Sequence, residues 1–369
     1  MLSAIVHDWL VHAADGAGRC LQSIHELYPS PIYTLIQDSR NLQGTYFADK
    51  QIISSFIQRL PFAAKSFRNY LPLFPLAIER FDLSAYDLIL SSSHCVAKGV
   101  LSHPHQLHIC YCHTPMRYGW DLTHSYVRQK NCYGKLKRWA AELALHRLRL
   151  WDVISSHRVD HFVANSQYVA RRIRKIYRQS AHVIYPPVDT SFFSLHQKKE
   201  EYYLTASRMV PYKKLDVIIE AFAAMPDRRL LVIGSGPEEK RLKQKATQNI
   251  EFLGFQTDEQ LRFYLQRAKG FVFAALEDFG ILPVEAMASG TPVIGLRGGG
   301  VQETIQESVS GLFFEDQSAF SICRAIEQFE TQEFDPFAVR RQAEKFSKER
   351  FQAEFHQFVT ERYRDFTCT

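Results

Sequence analysis

Two carboxylates stand eight positions apart, Glu277 and Glu285, in the stretch EDFGILPVEAMASG at 277–290. A carboxylate accepts two hydrogen bonds and suits a vicinal diol, as on a sugar or a ribose. Three cations precede them. SRMVPYKKLD carries Arg208 and, five residues on, Lys213, with Lys214 next. Such groups just before a helix, where backbone N–H groups also point outward, make a seat for a diphosphate. One glutamate for each diol, with a diphosphate held between them by Arg208, Lys213 and the N–H groups of 278–281, describes a nucleotide-sugar site. Each part has a plainer reading, a capped helix for the glutamates and a solvated charge cluster for the cations. Their order and spacing together favour the site.

Three further stretches carry residues of interest. LLVIGSGPE places Gly234 and Gly236 after an apolar run. A dinucleotide fingerprint needs a third glycine at 239, where Glu239 stands, so these two read as a tight turn. HDWLVHAADGAGRC follows the first apolar run, and Gly16 and Gly18 make a second glycine turn there. HPHQLHICYCHTPMRYGWD, 103–121, opens with four histidines and two cysteines in eleven residues. Zinc fits these residue types but not their spacing: Cys110-x-Cys112 is too short and no second pair follows. On a strand, His108, Cys110 and Cys112 share one face and read as core. His113 ends the strand, where ligands gather. Arg117, Tyr118, Trp120 and Asp121 come next and could meet a saccharide, since a ring offers a flat face and an acid accepts hydroxyls. No Asp-x-Asp occurs, so no metal is expected, and the diphosphate charge falls to Arg208 and Lys213.

These residues sit at the ends of apolar runs. Residues 3–6, 87–90, 108–112 and 161–164 read as strands in the first half, and 203–206, 230–233, 270–274 and 292–295 in the second. Helical patterns over 214–225, 238–246 and 258–268 lie between, with Thr257 and Asp258 as an N-cap signal. Short buried strands alternating with helices predict an α/β protein of parallel sheets, with ligands beyond the carboxyl ends of the strands. The break IYPPVDTSFFSLHQKKEE, 184–201, divides the chain into domains of 1–190 and 191–345 facing across a cleft. Phe351, Phe355 and Phe358 predict a last helix over about 346–369 that packs back on the first domain.

The chain has 369 residues, enough for two cores, and an ordinary globular composition, 46% hydrophobic and 23% charged. A net charge of +6 suits an anionic ligand or membrane surface. Seven scattered cysteines read as reduced thiols. No targeting or membrane-spanning stretch is visible, so a cytoplasmic protein is expected, at most on the cytoplasmic face of the inner membrane. The basic, partly apolar stretches at 56–81, 135–151 and 171–178 could lie on anionic lipid or pack as amphipathic helices on a sheet.

The second half resembles the retaining nucleotide-sugar glycosyltransferases of glycosyltransferase family four. It does so through SRMVPYKKLDVIIEAF, LLVIGSGPE, IEFLGF and EDFGILPVEAMASGTPVIGLRGGGVQETI, in the family's order over about 200–315. The resemblance implies the GT-B fold of two Rossmann-like domains, the first for acceptor and the second for donor. It implies that Arg208 and Lys213 bind the donor diphosphate, that Glu277 holds sugar hydroxyls and that Glu285 holds the ribose. The backbone of Phe279, Gly280 and Ile281 would lie against sugar and phosphates, and the stretch from Phe252 through Gly254 to Phe255 would line the base. His113 matches a family histidine that contacts the donor sugar. Gly16 and Gly18 stand where the family has a glycine pair near the donor phosphate, although this chain departs in detail. TPMRYGWD resembles bacterial mannosyltransferase-like members that build surface polysaccharides.

The expected partners are therefore a nucleotide sugar, GDP-mannose favoured over a UDP-sugar, and a saccharide or lipid-linked acceptor. A peripheral contact with an anionic membrane is also expected, and nucleic acid is not. The rivals are a GT-B nucleotide-sugar epimerase, a dinucleotide oxidoreductase and a non-catalytic nucleotide-sugar binding protein.

Overall fold

A computed structural model describes residues 1–11, 15–121, 123 and 135–368. Cys132 and part of the first glycine-bearing stretch, 12–14, lie outside the described residues. The chain divides into two units. Unit 1 is Met1–Tyr185 with Gln352–Thr369, and unit 2 is Pro186–Phe351.

Unit 1 holds a parallel sheet in the order β3-β2-β1-β4-β5-β6-β7. Its strands are β1 (Ser3–His7), β2 (Ile32–Thr34), β3 (Ile52–Ser54), β4 (Leu88–Ser93), β5 (Leu107–Cys112), β6 (His161–Ala164) and β7 (Ala181–Val183). Unit 2 holds β8 (Tyr202–Ala206), β9 (Arg229–Ile233), β10 (Ile250–Gly254), β11 (Gly270–Phe273), β12 (Val293–Leu296) and β13 (Gly311–Phe314), in the order β10-β9-β8-β11-β12-β13. Both orders run outward from the first strand on one side and then turn to the other, as in a doubly wound nucleotide-binding sheet. This is the two-domain α/β architecture that the GT-B resemblance implied.

The central strands β4, β5, β8, β11 and β12 are buried along their whole length. Covered on both faces, β11 and β12 read as continuous apolar runs and were legible as such, while β4 ends in three serines and β5 includes His108. The outer strands β3 and β7 are only partly buried, and with β2 have three residues each, too few for a pattern. The helices between strands start at visible caps. Thr257 accepts from Gln260 N–H in a capping box, and Ser166 accepts from Val169 N–H. Each such cap contributes about 1 kcal/mol.

The phenylalanine-rich stretch at 56–81 is folded into short helical turns, with Phe67 and Phe74 in the unit 1 core. The last helix, Lys348–Thr367, starts two residues later than expected. In unit 1 its Phe355 ring meets Tyr28 and Tyr111, and its Phe358 ring stacks on His182. Among the described residues, no helix is long and apolar enough to cross a membrane.

His108, Cys110 and Cys112 are buried on β5. His108 Nδ1 faces Arg158 O at 3.2 Å and its Nε2 faces Ser91 Oγ at 2.8 Å, so a neutral imidazole is fully used. Burial lowers the His108 pKa to about 4. The native state excludes a proton that the unfolded chain takes up near pH 6.5. Stability is therefore complete above about pH 6.5 and is lost as pH falls toward 4, by about 1 kcal/mol at pH 5.5 from this group. The thermal midpoint should fall between pH 7 and 5.5, and His108→Asn should reduce that fall while lowering stability at pH 7. A wild-type midpoint that is flat over this range would contradict the assignment.

Candidate active site

In unit 2 the strand order reverses between β8 and β11, where the following loops diverge and the strand ends open. The loop after β8 carries Arg208, which is exposed, and ends in the turn Pro211–Lys213. Lys214 takes a left-handed conformation, φ 55°, and starts the helix Leu215–Ala223. Across the opening, Lys213 Nζ lies 2.6 Å from Glu277 Oε1, with the two side chains only 19% and 18% exposed. Lys213 and Glu277, far apart in sequence, thus meet as a partly desolvated pair.

Backbone contacts hold Glu277 in place. Gly300 N–H donates to Glu277 O at 2.9 Å. Gly299 sits at φ +66°, and a β-carbon there would lie 2.3 Å from that same oxygen. The loops after β11 and β12 therefore touch main chain to main chain, which only glycine permits. The loop after β9 repeats the device. Gly234, φ +126°, would put a β-carbon 2.0 Å from Ser207 O, so the turn reading of GSG is the structural one.

Gly280 N-caps the helix Ile281–Ala288 with no side-chain cap, and uncapped N–H groups favour an anion. The Phe279 ring is buried, 5.6 Å from the Phe346 ring, so its backbone is the part that can meet a ligand. Glu285, one turn into this helix, is 2% exposed. At the edge strand β10, paired with β9, the register shifts between Phe252 and Gly254. Phe252 is partly buried and Phe255 is 79% exposed, a free ring at a strand end.

Unit 1 reverses between β1 and β4. Asp8, just past β1, is wholly buried. Its carboxylate accepts from the backbone N–H groups of His94, Cys95, Val96 and Ala97 at 2.6, 2.9, 2.6 and 2.8 Å. Four donors satisfy the charge and pin the loop after β4. His113 follows β5, its Nε2 2.8 Å from Ser92 Oγ. Ser92 Oγ and O each lie 3.1 Å from His7 Nδ1. The His94 ring stands 5.8 Å from His7 and 6.1 Å from His113. Burial, with repulsion from the neighbouring His94 and His7 rings adding to it, holds His113 well below its ordinary pKa. At pH 7 it is a neutral imidazole, which can hydrogen-bond a hydroxyl without bringing charge.

Two family models cover most of the chain. Residues 189–350 match Glycosyl transferases group 1 and residues 33–192 match Glycosyltransferase Family 4. The chain belongs to this glycosyltransferase family. One relative is the GDP-mannose-dependent monoacylated alpha-(1-6)-phosphatidylinositol monomannoside mannosyltransferase of Corynebacterium glutamicum. It is 39% identical over 27% of this chain and 30% of its own length. Another is the human alpha-1,3/1,6-mannosyltransferase ALG2, 27% identical over 77% of this chain and 74% of its own. Among solved structures, Anabaena HepE in complex with UDP and glucose superposes with a TM-score of 0.71 at 16% identity, covering 98% of this chain and 100% of that one. The Thermosynechococcus elongatus sucrose-phosphate synthase gives 0.70 at 16% identity, over 99% and 100%.

In this glycosyltransferase the remaining candidates already have protein partners. Gly16 and Gly18 open the helix Gly16–Leu27, where Asp15 caps it by accepting from Gly18 N–H at 2.8 Å. Trp120 Nε1 donates to Asp152 at 2.8 Å, and Asp121 pairs with Arg172. Tyr118 packs beside the unit 1 core, and Arg117 is half-buried. Sequence reasoning missed His7, Asp8, Ser92, His94 and the glycines at 299 and 300. Their signals were present: an acid directly after the first apolar run, SSSHC after β4, and a triple glycine after β12. Among the described residues, no group of three His, Cys, Asp or Glu could hold a metal ion.

Two substitutions test these supports. Gly299→Ala should cost about 2 kcal/mol or more, because it adds a left-handed alanine to a backbone clash. It should also weaken nucleotide binding by moving Glu277, read by urea denaturation and calorimetry. Asp8→Asn puts an amide N–H₂ among four N–H donors and should cost about 3 kcal/mol, seen as a thermal midpoint lower by several degrees.

Proposed function

We propose that this glycosyltransferase moves a hexose, mannose from GDP-mannose, onto a saccharide or lipid-linked saccharide in surface polysaccharide or glycolipid synthesis. It works with retention of configuration and without a metal. The observation that carries the reading is the Lys213–Glu277 pair at the β8/β11 reversal, beside the uncapped helix at Ile281. A diphosphate entering there meets the Lys213 ammonium, the Arg208 guanidinium and the helix N–H groups. These stabilise the charge that grows as the bond to the anomeric carbon breaks. Glu277, released in part from Lys213, accepts sugar hydroxyls. Glu285 takes the ribose, the backbone of 279–281 lies along the sugar and phosphates, and Phe252, Gly254 and Phe255 border the base. In unit 1, neutral His113 hydrogen-bonds a donor-sugar hydroxyl. Gly16 and Gly18 approach the donor phosphate, and Arg117, Tyr118, Trp120 and Asp121 border the acceptor.

In the transfer step the acceptor oxygen bonds the anomeric carbon on the face the phosphate leaves. The acceptor's proton passes to the departing phosphate oxygen. The preference for mannose is supported by the two mannosyltransferase relatives. The HepE structure holds UDP and glucose, which makes a UDP-sugar the alternative donor. Cytoplasmic location, with peripheral contact on an anionic membrane, fits a lipid-linked acceptor.

Lys213→Ala and Glu277→Ala should each lower transfer by about a hundredfold or more, with far-UV circular dichroism unchanged. Normal turnover by either would overturn the site. In a thermal-shift screen of GDP-, UDP- and ADP-sugars, GDP-mannose should give the largest shift. A larger shift from a UDP-sugar would reverse the donor choice. Donor incubated without acceptor should return with its sugar unchanged, whereas an epimerised sugar would favour the rival enzyme.

A further inference from the structure

The helix Gln167–Tyr177 has two unlike faces. Val169, Ile173 and Tyr177 are buried against the unit 1 core. Tyr168, Arg171, Arg172 and Lys175 fall on the other stripe, at spacings of three and four residues that bring side chains together. With Trp120 and Asp121 they line a cavity of about 360 Å³. Three cations face one carboxylate there, and like charges four apart weaken a helix. Among the described residues, Arg171 and Lys175 have no carboxylate partner.

Arg172 joins this cavity to the site. Its guanidinium donates to Thr114 Oγ1 and to Asp121, and reaches Pro115 O at 3.4 Å. Thr114 directly follows His113. The cavity and the His113 imidazole are thus two ends of one short loop, with Arg172 as the tie. The Trp120 indole on the cavity wall is itself fixed, through its N–H, to Asp152. Asp152 is buried 2.5 Å from the buried Lys98 Nζ and accepts from Tyr177 OH at 3.0 Å. The anchored Trp120 ring and the Tyr168 ring beside unbalanced cations suit a phosphate ester with an apolar or sugar neighbour.

We propose that the cavity holds a phosphate group of the acceptor, with the adjoining part of that molecule against Tyr168 and Trp120. This rests on the reading that unit 1 receives the acceptor. A dianion satisfies Arg171 and Lys175 and competes with Asp121 for Arg172. An anionic membrane surface would need only exposed cations. Here the central guanidinium is 11% exposed and the rings are set beside it, which favours a discrete ligand.

The test uses the full chain with a nucleoside diphosphate present at saturation, so that unit 2 is filled. Octyl phosphate, inorganic phosphate and octanol are titrated by calorimetry into wild type and into a variant carrying Arg171→Ala and Lys175→Ala. Both side chains are exposed and, among the described residues, have no carboxylate partner, so the variant should keep its thermal midpoint and its nucleotide-induced shift. Octyl phosphate should bind wild type more tightly than inorganic phosphate or octanol. The double substitution should weaken it more than about tenfold, the expected loss of two charge-assisted contacts. Equal binding by the variant overturns the proposal. So does a loss seen only in sedimentation with vesicles of phosphatidylcholine and phosphatidylglycerol, which assigns the cations to a membrane. Failure of every nucleoside diphosphate to shift the midpoint would count against the transferase reading instead, and the octyl phosphate titration would still decide the cavity.

Discussion

Main chain pressed against main chain sets the position of the central carboxylate in this glycosyltransferase. The loop bearing Glu277 and the loop bearing Gly299 meet with no side chain between them, and the loops after β8 and β9 meet in the same way through Gly234. A parallel sheet sends its strand-end loops to one edge, where they compete for the same space. Glycine lets them share it. The charged groups then stand on a rigid rim rather than on free loops, and the lone pair of Glu277 and the ammonium of Lys213 meet at a fixed separation.

Unit 1 solves a different problem, that of charge taken out of water. Asp8 is neutralised mainly by backbone dipoles, four N–H groups from one loop, with the His94 Nδ1 at 3.3 Å beside it. Asp152 is neutralised by an opposite charge, Lys98, together with a phenol and an indole. Burial opposes the charge on Lys98, but Asp152 beside it outweighs that and keeps its pKa above the ordinary value. The first arrangement fixes a loop, and the second fixes a ring on the wall of a cavity. A buried ion pair adds little net stability against an apolar replacement, so geometry is the better account of why it is there.

The legible parts of the sequence were those with a local signature. β8, β11 and β12 are buried on both faces and appear as apolar runs, and Arg208, Lys213 and Glu277 stand in the loops that follow β8 and β11. The meeting of Lys213 with Glu277 was inferred from order, because parallel strands bring successive loops to the same edge. β2, β3 and β7 were silent, since three residues show no period and their places come from pairing with neighbours. Asp8 was visible only as an interruption. Its partners lie more than eighty residues away, and no local pattern announces them. Trp120 and Asp121 looked available because sequence shows a residue's type but not who already holds it.

The last helix gives the chain an order of completion. Residues from Gln352 onward belong to unit 1, whose other residues end at Tyr185. During synthesis the strands β5 to β7 and the helix Gly16–Leu27 emerge long before Phe355 and Phe358 exist to cover Tyr28, Tyr111 and His182. The unit begun first is therefore finished last, after unit 2 has been made in full. For that interval its apolar wall stands open to water, and to chaperones that hold unfinished chains.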